Sequence, residues 1–159
     1  MRRGRPARSA GILTVVAALL LDQLSKAVVT AHADGLAGGL PVFSGFNLVL
    51  HRNDGITFGL FGQVPWWALT GVALTVTAWL FLMMWRTTRA SEATAYGLIA
   101  GGALGNVIDR VRFGAVTDFL DFHLGAYHWP AFNLADVAVV TGAALIVGLP
   151  IASKKPRMS

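Results

Sequence analysis

The sequence predicts an all-α membrane protein, with four transmembrane helices, a small extracytoplasmic β-sheet or cradle and an amphipathic interfacial segment. Composition is the first observation behind that class. Of 159 residues, 55% are hydrophobic and only 13% charged, with a mean hydropathy of +0.60, whereas an ordinary soluble domain is about 25% charged. The second observation is spacing. Apolar runs fall at 10–31, 64–85, 93–110 and 134–152, near the roughly 20 residues a helix needs to cross the hydrocarbon core. The third is the placement of basic residues. Arg2, Arg3, Arg5 and Arg8 precede the first run, Arg86 and Arg89 follow the second, and Lys154, Lys155 and Arg157 follow the fourth. Lys and Arg concentrate on cytoplasmic connections, so both termini are expected inside and the segments around 32–63 and 111–133 outside. The chain reads as one integral-membrane unit over 1–159.

The first run needs the closest argument. Its basic start and the Ala31-His32-Ala33 signature suggest a cleaved secretory leader. Asp22, Gln23, Ser25 and Lys26 lie between the apolar stretch and that site, however, which makes the cleavage region too long and favours a retained helix. Asp22 and Lys26 are four residues apart, hence on one helical face, where each can neutralise the other near a membrane boundary.

The connection over 36–62 contains Val42, Phe43, Phe46, Leu48, Val49 and Leu50 broken by Pro41 and Gly45, a strand-turn-strand composition. Asn53-Asp54-Gly55 is a turn signal, and residues 56–61 read as an amphipathic lip. The second run carries no charge until its end and is bounded by Trp66, Trp67 and Trp85, as expected where indoles meet the water boundary. The third places Gly97, Gly101 and Gly105 on one ridge, against which another helix can pack closely. The fourth, from Leu134 to Ala152, is uninterrupted after Asp136 until Pro150 near its far end.

Chemistry must come from oxygen and nitrogen side chains, because there is no cysteine to supply a disulfide, thiolate site or sulfur nucleophile. The net charge of +5 is gathered beside apolar runs, so membrane orientation explains it and no nucleic-acid partner is expected. His32, His51, His123 and His128 lack metal-site spacing, and His123 and His128 read as interface anchors; no metal or cofactor is expected. Ser25 has no evident histidine partner.

The carboxylates remain. Asp22, Asp109 and Asp136 all fall toward the outer ends of their helices, where a charge is costly unless it is paired or used. Two carboxyls in a poorly hydrated site share a proton, so one acts as base and the other as acid. Spacing alone pairs Asp109 with Asp136, since each follows an asparagine, Asn106 or Asn133, by three residues. Each acid also has a structural reading: Asp109 with the adjacent Arg110, Asp118 as a loop or turn residue, and Asp136 as a first-turn acid capped by Asn133. A small transporter or proton-relay protein would also use intramembrane acids, but it would need charge through the middle of a span. A helix-binding scaffold would use the glycine ridge and leave the acids unexplained.

Five ordered blocks carry a more specific signal. Asp22-Gln23-Leu24-Ser25-Lys26, Asn53-Asp54-Gly55-Ile56-Thr57-Phe58-Gly59, GGALGNVIDR from Gly101 to Arg110, Thr117-Asp118-Phe119 and Phe132-Asn133-Leu134-Ala135-Asp136 resemble the signature blocks of lipoprotein signal peptidase, also called signal peptidase II. The resemblance covers nearly the whole chain. It implies an aspartic endopeptidase of the bacterial inner membrane that removes signal peptides from prolipoproteins, cutting before a diacylglyceryl-modified cysteine. Its site would face the extracytoplasmic side. It implies Asp118 and Asp136 as the catalytic pair, in place of the pairing that spacing suggests. Asn53, Gly55, Asn106, Asp109, Arg110, Asn133 and Ala135 would bind substrate or support the site, and Asp22, Lys26, Gly101, Gly102 and Gly105 would orient the helices. The implied partners are the lipidated precursors and membrane lipids, and a monomer is expected.

Overall fold

The computed structural model describes residues 5–36, 38–55 and 64–152. The lip expected over 56–61 and the basic residues Arg2, Arg3, Lys154, Lys155 and Arg157 lie outside them. The chain forms α1 (Arg5–Ala31), a short turn of tighter helix (Ala33–Leu36), β1 (Leu40–Phe43), β2 (Phe46–Asn53), α2 (Trp66–Arg86), α3 (Ala90–Phe113), β3 (Val116–Leu124), β4 (Tyr127–His128) and α4 (Leu134–Ala152). All four expected helices are present. Two of them, over Pro6–Ala31 and Trp66–Arg86, are long and apolar enough to cross a membrane, and Leu134–Gly148 is a shorter apolar stretch. Helix α3 is glycine-rich and carries Glu92, Asp109, Arg110 and Arg112, so length and hydropathy alone do not establish a count of four spans.

Helix α3 is the centre of the bundle, packed against α1, α2 and α4. Its glycines make this possible. A Cβ at Gly97 would stand 2.5 Å from the Gly11 carbonyl oxygen, and one at Gly101 would stand 2.7 Å from that of Val15, both on α1. The opposite face repeats the device: Gly102 abuts the Ala135 carbonyl of α4, and a Cβ at Gly142 would lie 2.6 Å from the Ala95 carbonyl oxygen. Small residues thus bring the backbones together on both sides, the packing used where lipid supplies no hydrophobic drive between helices.

The distribution of polarity fits the same environment. Apart from Met84, the largest fully buried side chains are Asn133, Thr117, Asp22, Asp109 and Asp118, while Leu13, Leu20, Leu21, Leu24, Val28, Val72, Val140 and Val147 are exposed. An apolar band of this extent would be a liability in water and suits a lipid surrounding. Trp66, Trp67 and Trp85 are exposed at the two ends of α2.

The sheet is larger than its expected source in 36–62. It has four antiparallel strands in the order β1-β2-β3-β4, so the α1–α2 and α3–α4 connections both build it. Asp118, read from the sequence as lying in a loop, sits within β3 opposite His51 of β2. The run Val116-Thr117-Asp118-Phe119-Leu120 is rich in the β-branched and aromatic residues that suit a pleated surface. Gly114 makes the entry possible: at φ 71° it closes α3 in the left-handed conformation, its N–H donating to the Arg110 carbonyl at 2.9 Å.

Candidate active site

The C-terminal parts of α1 and α3 and the N-terminal end of α4 meet β3 in one buried polar cluster. Asp118, with 2% of its surface exposed, receives the Asn53 amide at Oδ2 (2.9 Å) and the Asn133 amide at Oδ1 (2.7 Å). Asn53 closes its own turn, because its Oδ1 accepts the Gly55 N–H at 2.9 Å. That bond fixes which end of the amide faces Asp118. Gly55 has a φ of 94°, a left-handed conformation that favours glycine, and a Cβ there would press on the tip of the Leu69 side chain.

Asp136 lies in the first turn of α4, and Asn133 caps it. The Asp136 N–H donates to Asn133 Oδ1 at 3.0 Å, while the Asn133 N–H donates to Asp136 Oδ2 at 3.2 Å. This reciprocal capping box satisfies donors that a helix start leaves orphaned. The structural reading of Asp136 and Asn133 is therefore correct as geometry, and it also delivers a carboxylate to the cluster. The other Asp136 oxygen accepts the Asn106 amide at 2.9 Å. Asn133 is thus bonded to both Asp118 and Asp136.

What sets this approach is a bridge outside the helices. Phe132 pairs with Leu120 of β3, its carbonyl accepting from the N–H groups of Phe119 and Leu120 at 3.0 and 2.9 Å. Phe46, Phe122 and Phe132 form a row of rings with centroids 4.8 and 5.9 Å apart. The strand and the start of α4 are pinned one residue from Asp118 and one residue from Asn133.

A second layer supports the first. Lys26 of α1 is 4% exposed and lies 2.9 Å from Asp22 and 3.2 Å from Asp109. The pairing of Asp109 with its neighbour Arg110 is therefore corrected: successive residues on a helix point about 100° apart and do not face each other, and Asp109 turns to Lys26. It also accepts the Thr117 N–H at 2.8 Å and the Gln23 amide at 3.2 Å. Arg110 instead points its guanidinium back toward the Asn106 carbonyl, and its buried Nε has no partner among the described residues. Gly105 faces the Asp22 carboxylate so closely that any side chain there would displace it.

Burial pushes the Asp118 carboxyl above the ordinary range, and the charge of Asp136 adds to the effect; the amides of Asn53 and Asn133 and the charge of Lys26 oppose it. A buried acid whose proton is held more tightly than usual, near a second carboxyl, has the chemistry of a donor and acceptor pair.

Three participants were not assigned a role from the sequence. Gln23 ties Asp109 to the Gly105 carbonyl, and its only signal was a place inside the first signature block. Thr117 acts through its backbone N–H, which no side-chain pattern reports. Asp121 forms a separate cluster on the sheet, bonded to Asn47 at 3.0 Å and to His128 at 2.9 Å, with His123 stacked on His128. His128 belongs to this polar pairing, and His123 joins it only through the stacked ring. Among the described residues, no group of three or more His, Asp and Glu side chains has a metal-site arrangement.

The profile of signal peptidase (SPase) II matches residues 14–151. The chain belongs to the signal peptidase II family. It is 46% identical over 142 residues to the lipoprotein signal peptidase of Paraburkholderia phymatum, covering 86% of this chain and 83% of that one. It is 44% identical to that of Nitratidesulfovibrio vulgaris, covering 85% and 84%. A bacterial membrane enzyme solved by the in meso method at 2.3 Å resolution superposes with a TM-score of 0.78 at 26% identity, over 95% of this chain and 93% of that one. A second, at 1.9 Å resolution, gives 0.77 at 28% identity. Membership of this family makes the chain a membrane-associated peptidase with a mostly helical fold and a small antiparallel sheet.

Proposed function

We propose that this chain removes signal peptides from diacylglyceryl-modified prolipoproteins at the bacterial inner membrane, with Asp118 and Asp136 activating the attacking water. One observation carries the reading most directly: Asn133 is hydrogen-bonded to both carboxylates, through its side chain to Asp118 and its backbone to Asp136. Relatives at 44–46% identity are named lipoprotein signal peptidases, which supports the substrate class.

One carboxylate takes a proton from water as the oxygen attacks the carbonyl carbon of the scissile peptide. The other gives its proton to the departing nitrogen as the C–N bond breaks, and the pair exchanges roles over the cycle. The products are a carboxylate-ended signal peptide and a lipid-modified cysteine with a free amine. Burial and the nearby charge of Asp136 favour a proton on Asp118. Because the two sites are coupled, the proton belongs to the pair.

The placement suits a substrate that arrives sideways. Acyl chains remain in the bilayer while the scissile bond reaches the water boundary at the helix ends. In this reading all four helices span the membrane, both termini are cytoplasmic and the sheet lies outside, as the basic residues indicate. Asn53, Gly55, Asn106, Asp109, Arg110, Asn133 and Ala135 support the site. The test is mass analysis of a lipidated precursor treated with purified protein. Asp118→Asn and Asp136→Asn should each abolish cleavage while remaining folded in the membrane. Near-normal turnover by either variant would remove the dyad.

A further inference from the structure

Lys26 has an ammonium group with three hydrogens, and each has one acceptor: Asp22 Oδ2 at 2.9 Å, Asp109 Oδ2 at 3.2 Å and Asn106 Oδ1 at 3.0 Å. What those acceptors hold is more informative than the ion pairs themselves. The second oxygen of Asp22 accepts the N–H of Ala135 at 3.0 Å, and Ala135 immediately precedes Asp136. Asp109 accepts the N–H of Thr117 at 2.8 Å, and Thr117 immediately precedes Asp118. Asn106 donates directly to Asp136 at 2.9 Å. Its Oδ1 also receives the Asn133 amide at 3.2 Å, so two donors on that oxygen leave Nδ2 directed at Asp136.

We propose that Lys26 is the positioning residue for both aspartates of the dyad, gripping through Asp22 and Asp109 the backbone amide next to each and orienting Asn106 toward Asp136. This rests on the dyad proposed above. Each arm of one buried cation ends a single residue, or a single hydrogen bond, from a reacting carboxyl. A merely neutralising lysine would need only its ion pairs, and an apolar replacement of the whole cluster would then serve as well.

The charges around the cluster come from every element that meets there. Asp22 lies on α1, Asp109 and Arg110 on α3, Asp118 on β3 and Asp136 on α4. Arg52 of β2 donates to the Thr117 hydroxyl at 2.6 Å, and Arg112 lines the same cavity as Lys26 and Asp109. Removal of the ammonium leaves Asp22 and Asp109 without their shared counter-charge. The two carboxylates then repel each other with nothing between them, one moves, and its grip on the backbone amide loosens. Loss of a positive charge near the dyad also raises the pH at which the dyad gives up its remaining proton.

The experiment measures kcat and KM against pH for a synthetic diacylglyceryl-modified precursor peptide, using the full chain in micelles. Lys26→Met should lower kcat by about 100-fold, the scale of a 1 Å misplacement, with KM little changed and the alkaline limb of the profile moved to higher pH. Lys26→Arg keeps the charge but its planar fork cannot reach in three directions, so kcat should fall while the limb stays in place. If Lys26→Met does not fold, the double variant Asp22→Asn with Lys26→Met removes one charge of each sign, so its kcat should fall by a similar factor while the limb stays in place. Wild-type kcat with an unmoved limb in the folded variant would overturn the proposal, as would loss of folded protein with normal turnover per folded molecule. Asp118→Asn separates the two layers: if it cleaves normally the dyad itself is wrong, whereas an inactive Asp118→Asn beside a fully active Lys26→Met overturns only the role of Lys26.

Discussion

Asp22 and Ala135 stand 113 positions apart in the chain, and the carboxylate of one accepts the backbone N–H of the other at 3.0 Å. An acid on α1 thereby caps the start of α4, where orphaned N–H groups and the positive end of the helix dipole both favour a negative charge. The same carboxylate pairs with Lys26, and Asp22 has no exposed surface. Asp22→Ala is expected to lower the unfolding free energy by about 3–5 kcal/mol, the cost of breaking one side of a buried pair. Thermal or denaturant unfolding in micelles measures it. A change below about 1 kcal/mol, the scale of an exposed pair, would contradict this placement.

Asn133 combines two roles that a substitution can separate. Asn133→Ser can still cap α4, because a serine oxygen also accepts the Asp136 N–H, but it cannot reach Asp118 with an amide. Stability should stay within about 0.5 kcal/mol of the parent, since both residues are good caps. Cleavage should fall by roughly 100-fold if the bridge sets the dyad geometry. Asn133→Ala should lose the activity and about 1 kcal/mol as well.

The glycine ridge gives a contrast within the bundle. Gly101→Ala drives a Cβ to 2.7 Å from the Val15 carbonyl oxygen, and overpacking of this kind costs about 1–3 kcal/mol. Gly71→Ala on α2 meets nothing within 4 Å and should be neutral or stabilising by up to about 1 kcal/mol through helix propensity. Unfolding midpoints of the two variants under one condition should move in opposite directions, or only the first should move.

The two acids of β3 have opposite pH signatures. Asp118 has its carboxyl raised, chiefly by burial, so the native state holds a proton that the unfolded chain releases at the ordinary carboxylate pKa near about 3.9. Its contribution to stability is full below that pH and is lost as pH rises toward its own higher value. Asp121 behaves in reverse. Burial acts to raise its carboxyl, but hydrogen bonds from His128 and Asn47 and the charges of His128 and His123 outweigh it and hold the carboxyl low. Its contribution is present above the ordinary carboxylate range and is lost as pH falls through the depressed value. Stability measured against pH should lose its downward slope in Asp118→Asn and part of its acid-side loss in Asp121→Asn.

Much of the scaffold was legible because its signals are local. The helix α4 was bounded correctly at Leu134–Ala152 by its apolar run, and α1 and α3 differ from expectation only by extending further, to Arg5–Ala31 and Ala90–Phe113. The Asp22–Lys26 pair followed from four-residue spacing, and the glycine ridge from its repeat along α3. The β3 strand was missed because its partner β2 lies more than 60 residues away. A carboxylate in an apolar stretch reads as a loop residue until the strand beside it is known.

The sequence by itself determined the helices, the close-packed faces and the cap at Asn133, because each depends on residues within one or two helical turns. The tertiary structure alone decided which carboxylates meet and what holds them. Asp109 faces Lys26 across a helix interface, not the arginine beside it, and Asp118 reaches Asn133 only because Phe132 pairs with β3. Adjacent residues on a helix diverge in direction, whereas buried charges seek the nearest satisfying partner in space. That partner is set by packing between distant segments.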